Sequence, residues 1–574
     1  MLALRLTLVT VCASFFTLSR SQDQNPGVGY PHDYPGKPSG DFSPSWQSYF
    51  EVTEPLPDVT WPIPRNWAGN IPNGLIHVAS NYSLYLNPYG WNLQADYIWI
   101  DQPVGVGFST ADNTGFVADE DQMGEDFFRF LSNLVKVFPS LKHRPLYLTG
   151  ESYTGTYIPY ITKTYFGLED PPVQLVKIAI GDGTIGGFWL YEEVPVVTVI
   201  EAYPQVIGYD PDVFEYFQEQ SHLCGFDFNL TYPQRGGYFP TLNPQFPLFD
   251  ESTSKRASKK LLLKAALEAD TQMKQSDVEA RSMRPVSERE RRKNQWKRDL
   301  TGRANGTIDP WYGCDIYDEM LEYAFNFSLP WNNTDENGFD IYDIPDALWP
   351  EAPMDGTVFL NNNVTRTAIH APTSKDWVDT ITYPFGKPMA FLTDLATNAT
   401  RENIAIVIFS GNDDSLVTHR GSEVVIQNTT FGGIQGFSVQ PSTPWYDDAG
   451  LYAGIVHQQR NWTYVLIKGA GHLVPMQQPA RASVLLREFI LGHNETGMVD
   501  SSDGHTSVVG GADPNFTGVL TGQLGIYYGS GTTQGTYTYP SLTVAEWQTF
   551  INGVTQTPEA LTSTGPPYAA RTVP

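Results

Sequence analysis

The sequence predicts an α/β fold: a central, mostly parallel sheet with helices on both faces and an inserted cap region. Three observations carry this. Short apolar runs alternate with helix-period segments through most of the chain. One run, "LYLT", passes through the turn "GESYTG" into a helical pattern. Two later runs, "IAIVIF" and "TYVLI", each end in a loop that carries acids or a histidine, at the strand ends where α/β proteins place function.

In chain order, "MLALRLTLVTVCASFFTLSRSQ" opens with Arg5, an apolar run from Leu6 to Leu18 and small residues at Ser19 and Ser21. This is the layout of a secretory signal peptide over 1–21, too short an apolar run for a membrane span. "DYIWID" reads as a buried strand, and "EDFFRFLSNLVKVFP" as a helix with Phe127, Phe130, Leu131, Leu134 and Phe138 on one face. "PLYL" is the strand leading to Ser152, and "QLVKIAI", "IAIVIF" and "TYVLI" are further strands before the helix "PARASVLLREFILG". The expected division is a first core part over 22–200, a cap or insertion over 201–384, a second core part over 385–496 and a Gly/Ser/Thr-rich extension over 497–574. Within the cap, 254–303 holds 15 Lys and Arg against 7 Asp and Glu. Such a block reads as a solvated charged insertion, or as a linker open to cleavage after Lys297-Arg298.

The 574 residues exceed one usual domain and can bury a large core. A net charge of -27 argues against nucleic acid as a partner, because phosphate binding needs Lys and Arg. After signal cleavage no stretch is apolar enough to span a membrane, so no membrane association is expected. Asn81, Asn229, Asn305, Asn326, Asn332, Asn363, Asn398, Asn428, Asn461, Asn494 and Asn515 begin N-x-S/T triplets, so N-linked glycans and the secretory pathway are expected. Cys12 leaves with the leader; Cys224 and Cys314 remain, as one disulfide or as two buried thiols. No Cys/His spacing resembles a metal site, and neither metal nor cofactor is expected.

A serine hydroxyl needs a base within hydrogen-bond reach to act as a nucleophile. Ser152 sits at a strand-to-helix turn with Gly150 before it and Gly155 after it, while Thr154 stands where a strict G-x-S-x-G elbow has glycine. Downstream come Asp413 and Asp414 in "FSGNDDSLV" and His472 in "GAGHLVP", in the order Ser, Asp, His of α/β-hydrolases.

The chain resembles the serine carboxypeptidases, peptidase family S10, of the α/β-hydrolase fold. The stretches that carry the resemblance are "NPYGWN", "IDQPVGVGFS", "GESYTGTYIP", "IAIGDG", "FSGNDDSLV" and "GAGHLVPMQQPARA", between about Asp41 and Gly492. It also accounts for Gly105 and Gly107, which alone hint weakly at a dinucleotide loop. The resemblance implies that Ser152 attacks the C-terminal peptide bond of peptides or proteins. His472 would be general base and then general acid. Asp414, last of Gly411-Asn412-Asp413-Asp414, would orient it, with Asp413 the second choice. It further implies that Glu151 binds the substrate carboxylate, that Met476 lines the leaving-group pocket, and that the enzyme is secreted or vacuolar/lysosomal. An acyltransferase on the same scaffold and an inactive secreted glycoprotein are the alternatives.

An oxyanion hole needs two backbone N–H groups. The Tyr153 amide can supply one. The family takes the second from a G-G-P-G segment, yet no Gly-Gly pair precedes Ser152. "NWAGNIP" runs directly into "NGLIHV", which resembles the stretch that follows that loop in the family. Several tens of residues are therefore expected to be missing between Pro72 and Asn73, with activity impaired.

Overall fold

Eight strands build the main sheet of the computed structural model. It describes residues 7–12, 76–78, 84–109, 115–242, 244, 306–309, 312–328, 331, 339–345, 357–368, 371, 376–378, 392–492, 499–500 and 507–508. The basic block 254–303, the Pro72–Asn73 junction and most of 497–574 lie outside these residues.

In chain order the strands are β1 (Thr7–Cys12), β2 (Asp96–Asp101), β3 (Pro145–Glu151), β4 (Gln174–Gly181), β5 (Ala405–Gly411), β6 (Thr443–Tyr446), β7 (Tyr452–Gln459) and β8 (Trp462–Ile467). Their order across the sheet is β6-β7-β8-β5-β4-β3-β1-β2. Every pair from β8 to β2 is parallel, and only β6–β7 and β7–β8 are antiparallel. The fold is therefore α/β with a mostly parallel sheet. The stretch read as a leader contributes β1, which lies between β2 and β3 with Thr7 paired to both Asp96 and Leu146.

Strand alternation sorts the core into two layers. Leu146, Leu148, Ile178, Ile180, Ile406, Ile408 and Leu466 face the helices α1 (Glu120–Val137) and α2 (Thr154–Gly167). Tyr147, Ala179, Val407, Phe409, Val465 and Ile467 face the other way, against Ala482, Val484 and Leu485 near the C-terminal end of the core. The Asp119 carboxylate caps α1 by accepting the Gln122 N–H at 2.9 Å. The buried face of α1 holds Met123, Phe127, Phe128 and Leu131, with Leu134 packed against the same core; of the expected face Phe127, Leu131 and Leu134 are in place, while Phe130 turns outward and is 36% exposed. At 100° per residue Phe128 and Leu131 share a face that Phe130 leaves.

A second hydrophobic cluster lies apart from the two layers on the sheet. Helices α3 (Val196–Ala202), α4 (Pro211–Leu223) and α5 (Ile316–Phe327) pack around Val199, Val206, Phe217, Tyr317 and Met320. A disulfide joins Cys224, at the end of α4, to Cys314, just before α5. The second core half adds α6 (Leu392–Arg401), α7 (His419–Gln427), α8 (Val474–Gln477) and α9 (Pro479–Leu485). Among the described residues no helix is long and apolar enough to cross a membrane.

Candidate active site

Strands β3, β4, β5 and β8 end at the same sheet edge and deliver the candidate residues. Ser152 follows β3 with φ +61°, a left-handed value that a serine adopts only where its surroundings enforce it. Three backbone bonds do so: Ser152 N–H donates to Gly181 O at 2.9 Å, and Ser152 O accepts from Gly155 N–H at 2.9 Å and Thr184 N–H at 3.0 Å. Gly155 permits the third contact, since a Cβ there would lie 2.3 Å from the Thr184 amide nitrogen. Thr154 replaces the usual glycine without conflict: it is buried and its hydroxyl donates to Glu151 O at 2.8 Å.

Asp414 and His472 meet. His472 Nδ1 lies 2.7 Å from Asp414 Oδ2, while Asp414 Oδ1 accepts the Leu416 and Val417 N–H groups at 2.8 and 3.1 Å. Those two bonds aim the carboxylate. Asp413 is engaged elsewhere, accepting from the Tyr203 hydroxyl and, at 3.3 Å, from Asn412 Nδ2. Burial pushes the Asp413 carboxyl up to about 6 against the help of those bonds. His472 is 2% exposed, and its Nε2 is buried with no hydrogen-bond partner among the described residues. Burial alone would lower its pKa, but the Asp414 charge and hydrogen bond, with Glu151, hold it above its ordinary value. With Nδ1 committed to Asp414, Nε2 is the nitrogen left for proton transfer.

Glu151 precedes the elbow. Burial raises its pKa to about 8, His472 and the Val474 N–H lower it, and Asp414 raises it further. Met476 lies on the same short helix as Val474, α8, and is half-buried. Tyr153 begins the turn into α2, and its hydroxyl donates to Glu120 at 3.0 Å.

Two neighbours of the site were not singled out from the sequence. Asp182, 0% exposed after β4, accepts the Gly411 N–H at 2.9 Å, and its own N–H donates to Phe409 O at 2.9 Å. Burial, then Asp414 and Glu151, push its carboxyl well above the usual range. The "GDG" at a strand end was the available signal. Tyr342 stacks on the His472 ring, centroids 4.8 Å apart and planes 26° apart. Nothing local to 342 announces a partner 130 residues downstream. Among the described residues no group of His, Cys, Asp and Glu is placed to hold a metal ion.

Comparison with known proteins gives consistent likenesses. A "Carboxypeptidase Y homolog" of Arthroderma benhamiae is 26% identical over 426 residues, covering 71% of this chain and 77% of that protein. A "Pheromone-processing carboxypeptidase KEX1" of Podospora anserina is 25% identical over 429 residues, 71% of this chain and 60% of that protein. A "Probable serine carboxypeptidase CPVL" of Dictyostelium discoideum is 25% identical over 434 residues, 73% and 68%. Among solved structures, a prohormone-processing carboxypeptidase, Kex1(delta)p of Saccharomyces cerevisiae, matches at TM-score 0.46 and 18% identity over 88% of this chain and 86% of that one. The family model described as serine carboxypeptidase matches residues 71–205 and 245–492, more than half of the chain and all three strand-end loops. The chain belongs to the serine carboxypeptidase family of peptide hydrolases.

Proposed function

We propose that Ser152, His472 and Asp414 form the catalytic triad through which this chain releases C-terminal residues from peptides or proteins. The observation that carries the proposal is the pairing of His472 Nδ1 with Asp414, with Nε2 buried and unbonded among the described residues, together with an enforced left-handed elbow at Ser152 whose neighbour Glu151 interacts electrostatically with His472. The Ser152 Oγ–H proton passes to His472 Nε2 as Oγ attacks the last peptide carbonyl. His472 then protonates the departing amine as the C–N bond breaks, leaving an acyl-enzyme. Water, deprotonated by the same imidazole, attacks the ester and restores Ser152. Asp414 holds the ring and stabilises its positive charge.

Glu151, protonated up to about pH 8, donates a hydrogen bond to the substrate's terminal carboxylate. Tyr153 N–H supplies one oxyanion donor, and Met476 lines the pocket of the departing residue. The chain acts in the secretory pathway, as a secreted or vacuolar/lysosomal glycoprotein bearing N-linked glycans. It works without metal or cofactor.

One feature favours a slow enzyme over a fully active one. No Gly-Gly pair precedes Ser152. The sheet position beside β3 is held by Thr7–Cys12, which no glycine follows before Gly27. Without a second oxyanion donor, kcat falls by roughly 10²–10³. The test is release of the C-terminal amino acid from N-blocked dipeptides by the purified chain. Slow release abolished by Ser152→Ala is expected. Release that survives Ser152→Ala refutes the triad, and release at the rate of full-length relatives refutes the missing donor.

A further inference from the structure

Residues 340–344 reach into the active site, and this segment is bonded to two of the three loops that carry the candidate triad, those of Asp414 and His472. On one side, Ile344 N–H donates to Asp413 O at 3.0 Å, and Ile341 O accepts the Ser415 N–H at 3.2 Å and hydroxyl at 2.8 Å. On the other, His472 N–H donates to Tyr342 O at 2.6 Å. The approach requires glycine before the histidine, because a Cβ on Gly471 would lie 1.9 Å from Tyr342 O. Tyr342 N–H donates to Asp340 Oδ1 at 2.8 Å, which fixes the segment's own turn. The Tyr342 ring is thereby laid over the imidazole.

We infer that Tyr342 is a positioning residue for His472: its ring face holds the imidazole in the plane set by Asp414 and stabilises the imidazolium formed during acylation. The inference rests on the triad role proposed for His472. An aromatic face attracts a cation, and more strongly where water is excluded, as it is around a histidine 2% exposed. The groups facing this histidine are Asp414 from the loop after β5 and Glu151 from β3. Asp182 interacts electrostatically with both of those carboxyls, and Asp340 lies beside Tyr342. The short helix α8 brings no charged side chain. Stacking and the Asp414 carboxylate therefore act in the same direction on the imidazolium.

The experiment is an NMR titration of the full chain carrying ¹³Cε1-labelled histidine, with the His472 resonance identified by its loss in His472→Gln. Tyr342→Leu removes the ring while keeping apolar bulk, so water does not replace it; Tyr342→Phe keeps the ring. The His472 pKa is expected to fall by about 0.5–1.5 pH units in Tyr342→Leu and to stay near the parent value in Tyr342→Phe. An unchanged titration in Tyr342→Leu, or an equal fall in both variants, overturns the inference. In the unsubstituted protein, His472 Hε1 is expected to be shifted upfield by the Tyr342 ring current. An Hε1 at the position of unstacked histidines overturns the inference even if Tyr342→Leu does not fold. Fluorophosphonate labelling of Ser152 separates the two levels. If Ser152 fails to label but the titration shifts, the triad proposal fails and the stacking role stands; labelling with no titration shift leaves the triad and removes Tyr342 from it.

Discussion

Glu151 keeps its proton to about pH 8 because burial outweighs the stabilisation its carboxylate receives from His472 and the Val474 amide. Below that pH a neutral carboxyl can share a hydrogen bond with a substrate carboxylate; above it two negative charges repel. For free-acid dipeptides kcat/KM is expected to fall as pH rises through about 8, and to stay level there for amidated ones. Glu151→Gln should remove that fall. Identical profiles for both substrates would contradict the assignment. The same shift has a sign in stability. Since the folded pKa of about 8 exceeds the ordinary 4.5, the folded chain holds a proton across that window which the unfolded chain has lost. The advantage is present below the lower value and disappears as pH passes the higher one. The Tm of the parent relative to Glu151→Gln is therefore expected to decline from pH 5 to pH 9; a rising difference would contradict the burial of this group.

At the scale of elements, the strand–elbow–helix unit depends on Gly155 as much as on Ser152. Gly155→Ala places a Cβ against the Thr184 amide and should destabilise the fold by about 1–3 kcal/mol while slowing Ser152 labelling. Normal stability and labelling in that variant would show that the loops separate freely. This unit was legible from the sequence, because an apolar run, a glycine-flanked serine and a helical pattern are contiguous. Asp414 and His472 were legible for the same reason, each lying just past a β-type run. Choosing Asp414 over Asp413 came from the family pattern; local chemistry alone left both. What escaped was set at long range. Tyr342 and Asp182 gain their surroundings only when residues 340–344 and the ends of β4 and β5 converge. Spacing alone places Phe130 on the buried face of α1, whereas Phe128 is buried and Phe130 is exposed. The antiparallel strands β6 and β7 carry no clear strand pattern, since Gly454 and the polar stretch 457–459 interrupt the apolar run of β7.

Across the whole molecule, the Cys224–Cys314 disulfide joins positions 90 apart in sequence, and the entire basic block 254–303 lies between them. Cleavage after Lys297-Arg298 would leave two chains tied by that bond. Mature protein is expected to run as one band without reductant and as two with it; a single full-length band under both conditions would reject processing. The sheet poses a second question at this scale. β1 sits between β2 and β3 yet lies inside the stretch read as a leader, so leader removal would take away the neighbour of β3. A chain that keeps its N-terminus should therefore be more stable than one trimmed at Ser21, and equal Tm values for the two would show that β1 contributes nothing.

Peptide mapping after fluorophosphonate treatment tests the triad most directly. A single adduct on Ser152 is expected, lost in Ser152→Ala and formed about 10⁴-fold more slowly in Asp414→Asn, with Asp413→Asn within about tenfold of the parent. An adduct that survives Ser152→Ala, or a rate that depends on Asp413 as strongly as on Asp414, would contradict the catalytic unit described here.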